Sequence, residues 1–242
     1  MKKILVVVPV YNEEIDLLKN VPILDDFLGK KMKGYDCTIL IADNASIDNT
    51  QKVSKTLSKK YKRVKYKKIP KKGRGIALKI VWSESKADFL SYMDVDLSSD
   101  LNYFPKLIKS LENGADIAIG SRLLKNSKVY DRPLLREVMS RGYSLMFSTL
   151  FSTSFRDAQC GFKAITKNAA NRLLPLVQDI SWFFDSELLI IADKAKMKIV
   201  EVPIVWRDDP ASTVKVAKTA WGDIKGLLRL LKTRPWTKLK NH

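Results

Sequence analysis

The sequence predicts an α/β fold on a mostly parallel central sheet flanked by helices, and three features carry that reading. Short apolar runs alternate with helix-period segments through the first 125 residues. Those runs are apolar throughout rather than alternating, as strands covered on both faces are. No internal repeat or low-complexity linker interrupts them, so one α/β domain with a C-terminal helical extension follows.

Residues 4–8 (Ile-Leu-Val-Val-Val) form the first buried run, and residues 12–27 read as a helix. Residues 37–41 make a second strand, followed by a helix over 47–60. A third strand spans Val64–Ile69 with a helix over 75–85, and a fourth spans Phe89–Met93 with a helix over 101–112. Residues 116–120 are the fifth strand, and Leu134–Phe151 is a long helix. Residues 216–231 are amphipathic: Ala217, Ala220, Trp221, Ile224, Leu227, Leu228 and Leu231 form an apolar stripe, with Lys218, Lys225, Arg229 and Lys232 beside it. That pattern fits an interfacial helix and equally a core-packed terminal one.

Composition narrows the chemistry. The 242 residues are 45% hydrophobic and 29% charged, which is ordinary for a globular protein. The one histidine is His242, the last residue, so histidine triads, histidine metal clusters and imidazole bases are excluded. Cys37 and Cys160 are far apart with no second pair, which excludes zinc ribbons and disulfide scaffolds. With no signal segment, they predict a reducing cytoplasm. Lys and Arg number 44 against 26 Asp and Glu, a formal charge of +18 that favours an anionic partner. No run of about 18 uncharged apolar residues is present, so no bilayer-spanning helix is predicted.

In open α/β sheets the ligand site lies beyond the carboxyl ends of the strands. Four strand ends bring polar groups there: Pro9-Val10-Tyr11-Asn12-Glu13, Asp43-Asn44-Ala45-Ser46, Asp94-Val95-Asp96 and Gly120-Ser121-Arg122. Asp94 and Asp96, leaving a strand in an irregular turn, can reach one hard cation through oxygen and so grip a diphosphate. Asp96, Ser98 or Asp100 also suits a helix N-cap. Lys71-Lys72-Gly73-Arg74-Gly75 opens a helix where glycines would admit a phosphate, or is a basic turn. Arg136 and Ser140 share a helix face and, with Arg122, could clamp a phosphate; the same face also fits a solvated surface.

These blocks resemble the dolichyl-phosphate sugar synthases of the inverting glycosyltransferase family 2, which has the GT-A fold. Pro9 to Glu13 resembles P-x-Y-N-E, and Asp43-Asn44-Ala45-Ser46-Ile47-Asp48-Asn49-Thr50 resembles D-D-G-S-x-D-x-T. Lys72-Gly73-Arg74-Gly75-Ile76-Ala77 resembles K-G-[KR]-G-x-A, and Met93-Asp94-Val95-Asp96-Leu97 resembles M-D-A-D-L. Asp157-Ala158-Gln159-Cys160-Gly161-Phe162-Lys163, Phe184-Asp185-Ser186-Glu187-Leu188-Leu189 and Glu201-Val202-Pro203-Ile204-Val205-Trp206 are similar to further blocks of that family.

The resemblance implies a catalytic domain over 1–206 and a membrane-interfacial extension over 207–242. It assigns Pro9, Tyr11, Glu13, Asp43, Asn44, Lys72, Val95 and Arg207 to the sugar nucleotide, and Asp94, Asp96 and Ser98 to Mg²⁺ or Mn²⁺. Arg122, Arg136 and Ser140 would hold the phosphate of a dolichyl or polyprenyl lipid. It further implies hexose transfer with inversion, UDP-glucose as favoured donor and GDP-mannose next. The protein would sit peripherally on the cytoplasmic face of a membrane or on a membrane-embedded partner subunit. The competing readings are a same-fold enzyme with a non-lipid acceptor and a basic nucleic-acid- or membrane-binding protein; no nucleic-acid signature is present, so no nucleic-acid partner is expected.

Overall fold

A computed structural model describes residues 1–208 and 216–239, the side chains of 216–220 excepted. The chain begins β1 (Lys2–Val10), α1 (Glu14–Lys31), β2 (Tyr35–Asn44), α2 (Thr50–Lys60), β3 (Val64–Ile69), α3 (Arg74–Glu84) and β4 (Phe89–Met93). A 3₁₀ turn at Leu101–Tyr103 leads to α4 (Phe104–Glu112), β5 (Ile117–Ser121), β6 (Lys128–Tyr130) and α5 (Leu134–Phe151). The remainder is β7 (Phe162–Thr166), α6 (Lys167–Leu173), α7 (Phe184–Lys194), β8 (Ile199–Pro203), β9 (Val205–Arg207) and α8 (Val216–Thr233), closed by a 3₁₀ turn at Pro235–Leu239.

Seven strands form the central sheet in the order β3-β2-β1-β4-β7-β5-β8. All neighbours are parallel except β7, which runs antiparallel between β4 and β5. The chain winds from β1 outward to β3, then crosses to place β4 on the other side of β1. That reversal opens a crevice at the carboxyl ends of β1 and β4, where Tyr11 and Asp94 leave the sheet. A separate parallel pair, β6 with β9, sets Tyr130 opposite Arg207.

Alternate strand residues feed two cores. Leu5, Val7, Leu90 and Tyr92 pack with α3, α6, α7 and α8. Ile4, Val6, Val8 and Phe89 pack with α1, α2 and α4 on the opposite face. The segment predicted to be helical from residue 47 starts at Thr50, because Asp48 accepts from the Thr50 amide and Asn12 accepts from the Ile47 amide.

Helix α8 is built into the first core, with Leu227 and Leu230 fully buried and Trp236 beyond them. Its buried face is Asp223, Gly226, Leu227 and Leu230, while Trp221 and Leu228, assigned by pattern to the apolar stripe, are exposed. The inward face is thus rotated from the predicted one. Gly226 meets the Phe183 ring so closely that a Cβ there would lie 2.3 Å from it. Arg229, grouped by sequence with the solvated cations, turns inward to Glu187 at 3.1 Å and Gln178 at 2.8 Å. Ala217, Lys218 and Ala220 lie outside the described side chains.

Candidate active site

Strand β4 delivers Asp94 and Asp96 to the crevice. The Asp94 carboxylate receives Arg74 at 3.2 Å, and Arg74 also reaches Asp185 at 2.6 Å. Behind them Lys163 pairs with Asp185 at 3.0 Å, and Tyr92 donates its hydroxyl to the same carboxylate. Burial raises the Asp94 carboxyl above the usual range, against the pull of Arg74. Burial would neutralise Arg74, yet the carboxylates of Asp185 and Asp94 keep it charged. Gly161 abuts this carboxylate, its amide oxygen accepting from the Asp94 amide at 3.2 Å.

Asp96 holds the next turn. It accepts from the Ser98 amide at 3.0 Å and the Ser98 hydroxyl at 2.7 Å, so Ser98, predicted as a third ligand, stands behind Asp96. Capping falls to Asp100, which accepts from the Asn102 amide. Among the described residues no cluster of three His, Cys, Asp or Glu side chains is arranged to hold a metal ion. Two carboxylates at one strand end still match the hard-oxygen donor set of Mg²⁺ or Mn²⁺, which takes its remaining ligands from phosphate and water.

On the β1 and β2 side, Lys72 lies 3.3 Å from the centre of the Tyr11 ring. Asp43 is buried and accepts from the Tyr66 hydroxyl at 3.0 Å and the Ser46 amide at 2.9 Å. The Glu13 amide donates to Thr50, tying the end of β1 to the start of α2. Asn44 is buried with no partner for Oδ1 among the described residues, and Pro9 and Val95 lie at the ends of β1 and β4. Asn12, Ala45 and Leu97 take positive φ at the ends of β1, β2 and β4, which marks this rim as strained backbone.

The glycines of the Lys72-to-Ala77 block are packed against protein, which favours the basic-turn reading of that block. A Cβ at Gly73 would lie 2.3 Å from the Ile180 oxygen, and one at Gly75 would lie 2.6 Å from Phe184 Cβ. They admit protein, and the block's polar contribution is Arg74.

The arginine side of the crevice is denser than predicted. Arg122 makes a fork onto Asp157 at 2.8 Å through both Nε and Nη2. Burial raises the Asp157 carboxyl, and Arg122 overcomes it, holding the group down at about 2. Arg136 pairs with Asp208 at 2.9 Å rather than facing Ser140. Ser140 instead accepts from Arg132 at 2.5 Å, and Arg132 also pairs with Glu137 at 2.9 Å. Burial and then the nearby positive charge of Arg122 lower the Arg132 guanidinium from its ordinary value. Arg122 is thus close enough for its charge to bear on Arg132, and the Asp94 charge in turn bears on Arg122. Arg207, expected over the nucleotide phosphates, is exposed and paired with Asp131 at 2.7 Å, its amide donating to the Ser98 oxygen.

A sequence model described as Glycosyl transferase family 2 matches residues 5–174, most of the chain and all of this crevice except the α7, α8 and β9 side. The chain belongs to glycosyl transferase family 2. It is 30% identical to "Glycosyltransferase AglD" of Haloferax volcanii over 93% of the chain, and spans 36% of that protein. It is 32% identical to the "Dolichyl-phosphate beta-glucosyltransferase" of Mus musculus over 86% of the chain, and spans 68% of that protein. Solved structures of glucosyl-3-phosphoglycerate synthase from Mycobacterium tuberculosis share the fold. The complex with UDP aligns with a TM-score of 0.71 at 18% identity, over 94% of this chain and 79% of that one. The complex with Mn²⁺, UDP-glucose and phosphoglyceric acid aligns at 0.69 and 16%, with the same coverage.

Within this family 2 chain, sequence reading missed Arg74, Arg132, Asp157, Lys163 and Asp185. All but Arg132, whose partners Glu137 and Ser140 are local, are charges paired with a residue distant in sequence, as with Arg74 and Asp185, 111 positions apart. The motifs containing Arg74, Asp157 and Asp185 were visible; their pairing was not. Trp182, 41% exposed with its ring over Arg74 at 4.5 Å, gave no local signal.

Proposed function

We propose that the chain transfers a hexose from a sugar nucleotide to the phosphate of a dolichyl or polyprenyl lipid, inverting the anomeric centre. The observation that carries this reading is the grouping of Arg122, whose charge bears on Arg132, with Arg132 held on Ser140 and the Asp94 charge bearing on Arg122: two arginines gathered where an incoming anion would meet a diphosphate. UDP-glucose is the favoured donor, the mouse relative being named a glucosyltransferase, and GDP-mannose is next.

Tyr11, Lys72, Asp43 and Asn44 would receive the nucleoside, with Pro9, Glu13 and Val95 shaping the strand ends. Asp94 and Asp96, with Ser98 bracing Asp96, would hold Mg²⁺ or Mn²⁺. The bound ion would neutralise charge on the leaving diphosphate. Arg122, locked by Asp157, presents a fixed positive edge, while Arg132 and Arg136 can exchange Glu137 and Asp208 for the acceptor phosphate, joined by Ser140. A phosphomonoester with a second pKa of about 6 is largely dianionic at neutral pH, so attack needs no general base. The arginines offset repulsion between the two anions and hold them in line. Arg207 would reach the nucleotide phosphates only after leaving Asp131.

Helix α5 exposes Leu134, Leu135, Val138, Leu145 and Leu150, and α8 exposes Trp221 and Leu228 beside Lys225 and Lys232. No described helix is long and apolar enough to cross a membrane. These faces would rest on the cytoplasmic side of an anionic membrane or on a membrane-embedded subunit, bringing the lipid chain out beside Arg136.

The test incubates purified protein with Mg²⁺ or Mn²⁺ and polyprenyl phosphate in detergent. Labelled UDP-glucose, GDP-mannose and UDP-N-acetylglucosamine are offered separately, and organic-extractable label is counted. Metal-dependent label from UDP-glucose is expected. Label from another donor alone would replace the sugar assignment, and none from any donor would refute lipid transfer.

A further inference from the structure

The buried face of α8 carries one residue its hydrophobic pattern does not explain. Asp223 shares that face with Leu227 and Leu230 and is 5% exposed, where an apolar side chain would complete the core. A carboxylate in such a place is costly unless hydrogen-bonded. Its Oδ2 accepts from Gln159 Nε2 at 2.8 Å, while Oδ1 is buried without a partner among the described residues. Burial holds the carboxyl up at about 6 against the Gln159 hydrogen bond, and the facing charged groups, Asp179 and Asp185, are acids that add to the effect. The fold therefore keeps an unfavourable residue whose one hydrogen-bond partner among the described residues is Gln159.

Gln159 lines the cavity formed with Arg122, Ser140 and Tyr143. It stands two residues before Gly161, which abuts the Asp94 carboxylate. A sugar joined to a diphosphate at Asp94 and attacked from the arginine pocket has to lie between these two places. An ionised carboxylate accepts hydrogen bonds and cannot donate them. Asp223 therefore selects which end of the Gln159 amide faces it, holding Nε2 and leaving Oε1 to the cavity.

We infer that Asp223 is a positioning residue, fixing the Gln159 amide so that Oε1 accepts a hydrogen bond from a hydroxyl of the transferred sugar. The inference rests on the sugar-nucleotide reading above. It places a residue of α8, beyond the 5–174 segment matched by the family, behind the sugar subsite.

The test measures calorimetric binding of UDP and UDP-glucose, with GDP and GDP-mannose in parallel, to the full chain in the presence of Mn²⁺. Asp223→Asn can donate to Oε1 and turn the amide. It should weaken binding of the sugar nucleotide by roughly tenfold, the effect of one hydrogen bond, and leave the nucleoside diphosphate unchanged. Gln159→Leu should produce the same split. Asp223→Leu completes the apolar face, so its melting temperature should hold or rise while the split persists; a purely structural aspartate would instead lower it. Equal weakening of diphosphate and sugar nucleotide, or no weakening of either, overturns the inference and leaves the proposed reaction standing. A wild-type chain that binds no sugar nucleotide overturns the reaction and the inference together.

Discussion

Gly161→Ala isolates the geometry of Asp94. A Cβ built at Gly161 lies 1.8 Å from Asp94 Oδ2 and 2.5 Å from its Cγ, whereas ordinary contact begins at 3.4 Å. The carboxylate must retreat by about 1.5 Å, and a displacement near 1 Å at a catalytic group costs on the order of 10²-fold in rate. Gly161 is not among the glycines with positive φ, so alanine fits its backbone and the strain falls on the Asp94 side chain. That side chain is 33% exposed and can rotate away. An off-rotamer cost of about 1 kcal/mol should lower the melting temperature by only about 2–4 °C. The assay pairs a thermal melt with initial rates of lipid-extractable label across a Mn²⁺ titration. A fall of about 10²-fold with a near-normal melt is expected. A variant within threefold of wild type, while Asp94→Asn is inactive, would refute the argument that Gly161 sets the carboxylate.

Three further outcomes follow from the structure. The Asp157 carboxyl is held at about 2 against an ordinary 3.8, so its ionised form contributes about 2 kcal/mol above pH 4. That stability is lost as pH falls from about 4 to 2, and acid melts of Asp157→Asn should lack this limb. Ala45 takes φ 61 where the resembled D-D-G-S block has glycine; Ala45→Gly should stabilise by roughly 0.5–1 kcal/mol, seen as a melt raised by 1–4 °C. Leu135→Glu with Leu145→Glu should abolish sedimentation with anionic vesicles while sparing transfer in detergent; unchanged sedimentation would remove α5 from the membrane face.

Much of the fold was legible where local pattern and burial coincide. The predicted bounds of β3, β4 and α5 are those observed, since each is bracketed by clear turn or polar residues. Strand β7 was not predicted, since Lys163 interrupts its apolar run, and a five-residue strand carries no mark of its antiparallel direction. On α8 the pattern misplaced the inward face. Trp221 and Leu228 are apolar but exposed, and Asp223 is charged but buried, so hydrophobicity points the wrong way at those positions. The candidate site follows the same division. Tyr11, Asp43, Asp94 and Arg122 stand at strand ends, where chain order alone places them. Lys163 and Asp185 act through ion pairs closed by tertiary packing, and no spacing announces them.

The central claim is that the arginine pocket takes a lipid phosphate, and acceptor choice tests it most directly. The chain would receive labelled UDP-glucose and Mn²⁺ with polyprenyl phosphate or 3-phosphoglycerate at equal concentration, with product counted in the organic and aqueous phases. Organic-phase product that disappears on chelation, with no aqueous product above the acceptor-free control, is the expected result. Transfer to 3-phosphoglycerate with none to the lipid would contradict the account and reassign the pocket to a soluble phosphate.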